Sequence, residues 1–397
     1  MTDRRTVLVL NHFAAPLSGA GGTRHVELFG RLAQWDGVIL AADRGVLTRA
    51  RTKVRTDEYR TVPTSPVSGF PMSRVVNWVT YSASAFFVGL TVRRVRLVYG
   101  SSPHLLAALA GWVLSRIKRV PFVLEVRDLW PKVLVDMQAM SETSLVYRTL
   151  EHLEAFLYHR ADAIVVMARG VQDELQGRGI RESKLVFIPN GADPESMRTA
   201  VPRDELRRQL RFQGLIAVYA GAHGPANGLD LLLDAAKEVA SDVPSLRVVL
   251  VGDGVDKKRL QRRVAAEHIA NVELRDPVPK SDMPKVLAAA DIGLHVLADV
   301  DLFKYGVSPN KLFDYMAAGL PSITNTAGEV AALVHAADAG VVAEPSGLAV
   351  ALRTMAAASA DQRAEWGRNG AAYIEANQSR TAMAVRLETL LDDVTAR

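Results

Sequence analysis

Gly306-Val307-Ser308-Pro309-Asn310-Lys311-Leu312-Phe313-Asp314-Tyr315-Met316-Ala317-Ala318-Gly319-Leu320-Pro321 decides how this chain is read. The stretch lies between two short apolar runs, Ile292 to Val296 and Ser322 to Thr324, so it forms the helical crossover of a βαβ unit. Ser308 reads as the N-cap and Pro309 as the first helical residue: a serine hydroxyl satisfies a free amide, and proline has no amide to lose there. Gly319 ends the helix before the next strand. The free amides of the first turn, with Lys311, suit a diphosphate, because a helix N-terminus favours anions. One turn on, Asp314 can accept hydrogen bonds from two adjacent hydroxyls, as on a ribose. The alternative for the same residues is a capped amphipathic helix with Lys311 and Asp314 in solvent.

Outward from this unit the alternation continues in both directions. Apolar runs fall at Thr6 to Leu10, Val38 to Ala41, Leu97 to Tyr99, Phe122 to Val126, Ala163 to Val166 and Leu185 to Ile188. After the turn-forming Pro189-Asn190-Gly191 the pattern begins again, at Leu215 to Tyr219, Leu246 to Val251, Val272 to Leu274, Ile292 to Val296, Ser322 to Thr324 and Gly340 to Val342. Two mostly parallel sheets in tandem are predicted, each covered by helices, with ligands beyond the carboxyl ends of the strands. The expected domains are 1–190 and 191–377, with a hinge near residues 189 to 200. The final helical segments have no strand after them, and the helix 378–397 is expected to rejoin the first domain. The alanine-rich Ala356 to Ala360 reads as helix.

Composition bounds the rest. At 397 residues the chain is too long for one ordinary core. With 49% apolar and 23% charged residues it is globular rather than disordered. The absence of cysteine excludes disulfides, thiolate metal sites and a thiol nucleophile, and fits a reducing cytoplasm. Met1 to Arg5 is charged and runs straight into a strand pattern, unlike a signal peptide. Val75 to Leu90, interrupted by Asn77, Thr80, Ser82 and Ser84, falls short of a membrane span and reads as a packed helix. A cytoplasmic protein is expected. The net charge of +5 leaves peripheral contact with an anionic inner membrane face open beside an anionic ligand. No nucleic-acid partner is expected, since no binding module interleaves aromatics with the basic residues.

Three further turns carry glycines at strand ends: Gly19-Ala20-Gly21-Gly22-Thr23 before a helix near His25, Gly221-Ala222-His223-Gly224 followed by Asn227-Gly228, and Val251-Gly252-Asp253-Gly254. Each lets backbone approach a phosphate, and each is also readable as a plain turn. Asp299-Val300-Asp301 is readable as a metal-binding carboxylate pair, but such a pair belongs with a fold of one nucleotide-binding domain and this pattern is double. No metal site is expected. His12 lies just past the first strand, facing a ligand or serving the core, and Trp130-Pro131 either shapes a binding cleft or packs inside.

The segments Gly19 to Thr23, Glu125-Val126-Arg127-Asp128-Leu129-Trp130-Pro131, Ile188-Pro189-Asn190-Gly191-Ala192-Asp193, Gly221 to Asp230, Val251 to Gly254 and Ser308 to Gly319 resemble, in order and spacing, the family 4 retaining glycosyltransferases over nearly the whole chain, especially the subgroup of bacterial polysaccharide and aminosugar transfer. The resemblance implies an α/β fold of two facing Rossmann-like domains (GT-B) with a cleft between them. The N-terminal domain would bind the acceptor and the C-terminal domain the nucleotide sugar, with transfer retaining anomeric configuration and needing no metal. The donor set is Gly21, Gly22, Gly221, His223, Asn227, Gly252, Asp253, Val278, Ser308, Pro309, Asn310, Lys311 and Asp314. Asp128 would orient the acceptor or assist proton transfer, with Arg127 beside it and Lys311 stabilising the leaving diphosphate.

The chain departs from the family in three places. Gly306 and Asp314 stand where many relatives carry two glutamates eight positions apart. The basic pair that often grips the diphosphate is replaced near His223 and Asn227. Arg127-Asp128 stands where some relatives have His-Asp. The expected activity is transfer of a hexose or aminosugar, UDP-linked in the donor, to a glycan, lipid-linked or small-molecule acceptor hydroxyl, in cell-surface polysaccharide or natural-product biosynthesis. A nucleotide-sugar epimerase and a catalytically idle sugar-nucleotide-binding subunit are the rivals.

Overall fold

The computed structural model describes residues 4–16, 22–44, 51, 53–56, 58–68, 71–102, 104–136, 140–299, 303, 306 and 308–397. The chain divides into two compact units: unit 1 is 1–189 with 380–397, and unit 2 is 190–379.

Unit 1 holds a parallel sheet of β1 (Arg5–Leu10), β2 (Trp35–Ala42), β3 (Tyr59–Val62), β4 (Val95–Ser101), β5 (Phe122–Val126), β6 (Ala163–Val166) and β7 (Leu185–Phe187), in the order β3-β2-β1-β4-β5-β6-β7. The central strands are unbroken apolar runs because helices cover both faces, so inward and outward side chains alike leave water. β3 is the one strand of this sheet that the apolar runs do not reveal. It is a four-residue edge strand, and between the buried Tyr59 and Val62 stand Arg60 and Thr61. The last helix, Arg380–Thr395, belongs to this unit and buries Met383, Leu387, Leu391 and Val394 against the β1 side of the core.

Unit 2 repeats the plan with β8 (Leu215–Ala220), β9 (Leu246–Val251), β10 (Val272–Arg275), β11 (Ile292–His295), β12 (Ser322–Thr324) and β13 (Gly340–Val342), in the order β10-β9-β8-β11-β12-β13. Two hydrophobic clusters cover its two faces. In each sheet the strand order reverses about the first strand. Crevices for ligands therefore lie at the carboxyl ends of β1 and β4 in unit 1 and of β8 and β11 in unit 2.

Two local readings are corrected. The segment expected to be a packed helix is Pro71–Thr91, and it packs on one face only: Tyr81 and Ala85 are fully buried, whereas Met72, Val75, Val76, Val79 and Phe87 are exposed. The alanine-rich run is broken rather than helical throughout. One helix ends at Ala357, and the Ser359 hydroxyl accepts from the Gln362 amide to cap the next, Ala360–Gln378. Among the described residues no helix is long and apolar enough to cross a membrane.

Candidate functional site

In unit 2 the glycine turns and the decisive helix meet at the carboxyl edge of the sheet. The turn after β8 is stitched to the turn after β9, with the His223 amide donating to the Asp253 carbonyl (2.8 Å) and the Gly221 amide to the Val251 carbonyl (2.9 Å). Only glycine fits at Gly252 and Gly254: a Cβ there would come within 1.9 Å of the Gly221 carbonyl oxygen and 2.2 Å of the His223 carbonyl oxygen. Lys257, buried at the start of the following helix, fastens the same turn from below by donating to the carbonyls of Gly252 (2.9 Å) and Arg275 (3.0 Å). Asp253 is exposed and its Oδ1 accepts from the Gly254 amide. His223 is buried with both ring nitrogens unpartnered. Burial and then Lys257 hold its pKa below the ordinary value, against the pull of Asp253.

The helix after β11 runs Asn310–Ala317. Its start corrects the cap assigned from sequence. Pro309 is the N-cap, in extended conformation and without a side-chain cap, and Ser308 turns away: its hydroxyl accepts from the Asn190 amide (2.7 Å), and its carbonyl accepts from the Asn190 side chain (2.8 Å). A serine hydroxyl pairs equally well with either amide, and here the distant one holds it. The first turn, with Asn310 exposed, therefore keeps its amides free of any side-chain cap. Gly319 takes a φ of +73° at the other end, and the Leu320 amide closes the turn onto Tyr315.

Lys311 reaches from this helix across the switch point to the β8 turn. Its Nζ donates to Asn227 Oδ1 (2.9 Å) and lies 4.9 Å from the centre of the Tyr219 ring, and a Cβ on Gly221 would crowd its stem at 2.8 Å. Burial lowers its pKa to about 8, so at neutral pH it carries a poorly solvated positive charge. Asp314 is mostly covered. Its Oδ1 is buried with no hydrogen-bond partner, and burial pushes its carboxyl up to about 6 against the attraction of Lys280. Lys311 and Asp314 are thus not the solvated face of an ordinary amphipathic helix. Val278 does not join them through polar chemistry: it is half-buried and packs on the core below the turn after β10.

In unit 1 the matching edge carries Asn11 and His12 after β1, Ser102 and His104 after β4, and Arg127 and Asp128 after β5. His12 is a core residue: it is buried, with its ring 4.6 Å from those of Phe13 and Tyr81, and burial lowers its pKa to about 4. The Arg127 amide donates to Ser102 Oγ (2.9 Å), fixing the turn that presents Asp128. Asp128 is exposed, so the desolvation that raises its carboxyl, opposed by Arg127, comes from the protein mass around it and not from a sealed pocket. Gly22 bridges Ala14, where a Cβ would meet the Phe13 carbonyl at 3.0 Å. Gly21 and Asp301 lie outside the described residues. Asp299 is exposed, and no group of three metal-ligating side chains occurs among the described residues.

Two models of glycosyltransferase domains match the chain. The model described as glycosyl transferase 4-like domain matches residues 19–191, the one described as glycosyl transferases group 1 matches 214–358, and together they take in about four fifths of the chain. The chain belongs to the family 4 glycosyltransferases. WbjE of Pseudomonas aeruginosa, named as a probable glycosyltransferase, is 27% identical over 254 residues, 61% of this chain and 60% of that protein. Its solved neighbours carry the same GT-B fold. Sucrose-phosphate synthase from Thermosynechococcus elongatus superposes with a TM-score of 0.78 at 17% identity, covering 99% of this chain and all of that one. Anabaena HepE in complex with UDP superposes with a TM-score of 0.72 at 17% identity, covering 98% of this chain and all of that one.

This family 4 member also contains a buried polar cluster that sequence reasoning missed. Glu125, within a segment singled out for its resemblance, is fully buried. It accepts from Arg24 Nε (3.0 Å) and Ser101 Oγ (2.7 Å) and meets His25 Nε2 at 2.7 Å. Despite burial, His25, Arg24 and Arg127 hold its carboxyl well below the usual range. Arg24 also donates to the carbonyls of Ile188 and Pro189 (both 2.7 Å), where the chain leaves unit 1, and Arg380, where it returns, pairs with Glu27 on the same short helix. The basic pair Arg24-His25 directly after the glycine-rich sequence 19–23 was the available signal. Glu125, Ile188 and Pro189 lie a hundred or more residues away, which no local pattern discloses.

Proposed function

We propose that this family 4 glycosyltransferase moves a hexose or aminosugar from a UDP-linked donor to an acceptor hydroxyl, with retention of anomeric configuration and no obligatory metal. The carrying observation is the orphaned, buried Oδ1 of Asp314, one turn beyond the uncapped amides and confined charge of Lys311. A buried acceptor without a donor is costly unless a ligand supplies one. A nucleoside diphosphate supplies both complements: ribose hydroxyls for Asp314 and phosphate oxygens for Lys311 and the amides. The UDP bound to HepE supports the choice of nucleotide.

In the reaction, the bond from the anomeric carbon to the β-phosphate oxygen breaks while a bond from that carbon to the acceptor oxygen forms on the same face. The acceptor proton passes to the departing phosphate oxygen, and UDP leaves. Lys311 and the helix amides stabilise the charge that grows on the diphosphate. Asp128, exposed on the rigid turn after β5, orients the acceptor hydroxyl, with Arg127 beside it. Unit 2 holds the donor and unit 1 the acceptor.

The test is UDP release from a panel of UDP-sugars with and without acceptors, with the product anomer assigned by NMR. Acceptor-dependent release with retained configuration is expected. Epimerised sugar nucleotide without acceptor, or UDP binding without turnover across the panel, would overturn the transferase reading.

A further inference from the structure

Unit 1 contains an apolar pocket of about 400 Å³ between the helices Pro71–Thr91, Leu105–Lys118, Lys132–Asp136 and Leu145–Arg160. That volume is in the range of small-molecule sites. Its wall includes Trp78, Leu106, Trp130, Leu134 and Val146. The two tryptophans meet edge to face at 5.6 Å, and Trp130 stands two residues beyond Asp128.

Two polar features interrupt this lining. His104 is buried and lines the pocket. Its Nδ1 accepts from the Ala107 amide (2.9 Å), which leaves the proton on Nε2, and that buried nitrogen has no partner. Arg74, the second, is exposed on the pocket's edge. Beyond the rim the apolar surface continues. From Val75 on the pocket's edge, Met72, Val76 and Val79 carry it at helical spacing along the outer face of Pro71–Thr91, and Leu145, 81% exposed, flanks Val146 across the opening. An outward apolar stripe on a helix whose other face is already packed is unusual for a surface that meets only water.

We propose that this pocket takes the hydrocarbon chain of an anionic, lipid-linked acceptor, with the phosphate of that acceptor at Arg74 and the unmet His104 N–H. A chain longer than the pocket runs out along the Met72 to Val79 stripe. The identification of this ligand as the acceptor rests on the transferase reading above; its binding does not.

The probe is monomeric farnesyl phosphate, titrated calorimetrically against the whole chain, with inorganic phosphate and farnesol as the head and the chain alone. Each methylene buried tightens binding about fourfold, so farnesyl phosphate is expected to bind at least about a hundredfold more tightly than inorganic phosphate. Leu106→Trp, which fills the pocket, is expected to weaken farnesyl phosphate tenfold or more. Arg74→Gln is expected to remove most of the preference for farnesyl phosphate over farnesol. UDP affinity, read separately in unit 2, stays at the wild-type value in both variants, and a wild type that binds farnesyl phosphate but not UDP would sink the donor reading and leave this one standing. Farnesyl phosphate no tighter than phosphate would overturn the proposal. So would full affinity in a folded Leu106→Trp, or binding to anionic vesicles without affinity for the monomeric lipid, which would make the stripe a membrane surface instead.

Discussion

Asp314→Asn is expected to stabilise the free protein while weakening its hold on UDP. The carboxyl of Asp314 is pushed from its ordinary 3.8 up to about 6 by burial, and its Oδ1 has no partner. Its folded pKa therefore lies above the unfolded one. As pH rises through that interval the unfolded chain loses its proton first, so stability falls across roughly pH 4 to 6. The cost is complete above about pH 6 and absent below about pH 4. Two pKa units correspond to about 3 kcal/mol, and the amide of asparagine still leaves one polar atom buried, so a gain of about 1 to 3 kcal/mol is expected at neutral pH. UDP affinity should move the other way. Losing hydrogen bonds from ribose hydroxyls to a charged acceptor costs about 1.5 to 3 kcal/mol, roughly 10- to 150-fold in Kd. Thermal midpoints without ligand near pH 4 and pH 7.5, with calorimetric titration of UDP at pH 7.5, read both effects. A variant less stable than wild type at pH 7.5, or one that binds UDP as tightly, would refute the assignment.

Lys311, with its pKa lowered to about 8 by burial, must be protonated to meet a diphosphate, so UDP affinity should fall as pH rises past about 8. That alkaline limb should vanish in Lys311→Met, whose affinity is already low, and a limb that persists in the variant would assign it elsewhere. Asp128→Asn should reduce kcat by about 10²-fold, the loss expected when the acceptor is no longer oriented, with UDP Kd within about twofold of wild type, since Asp128 belongs to unit 1; parallel losses of both would remove it from the acceptor side. Turnover should be unchanged by a chelator. Abolition by EDTA with rescue by manganese or magnesium would revive a metal role for the carboxylates around Asp299.

The sheets were legible because strands buried on both faces are written as uninterrupted apolar runs, as Leu246 to Val251 is. β3 was not, because an edge strand needs few apolar residues and its Arg60 falls in an arginine-rich stretch. At the site, local chemistry carried the reading as far as the sequence neighbours reach. The glycines of the β9 turn and the helix end at Gly319 follow from backbone sterics. The role of Ser308 does not, because the amide that claims its hydroxyl is 118 residues away. Lys311 and Asp314 were identified by residue type and spacing, but what makes them functional candidates is their desolvation, which depends on tertiary packing that spacing does not disclose. The apolar pocket of unit 1 was invisible for a related reason. Its walls come from four helices, and the sequence distinguishes an apolar stripe from a core face only once the other face is seen to be packed.

The most direct test of the donor site is a crystal structure of the protein with UDP. The account predicts diphosphate oxygens within hydrogen-bonding distance of Lys311 Nζ and the first amides of the Asn310–Ala317 helix, and both ribose hydroxyls on the carboxylate of Asp314. UDP bound elsewhere, or bound there with Asp314 Oδ1 still unpartnered, would contradict it.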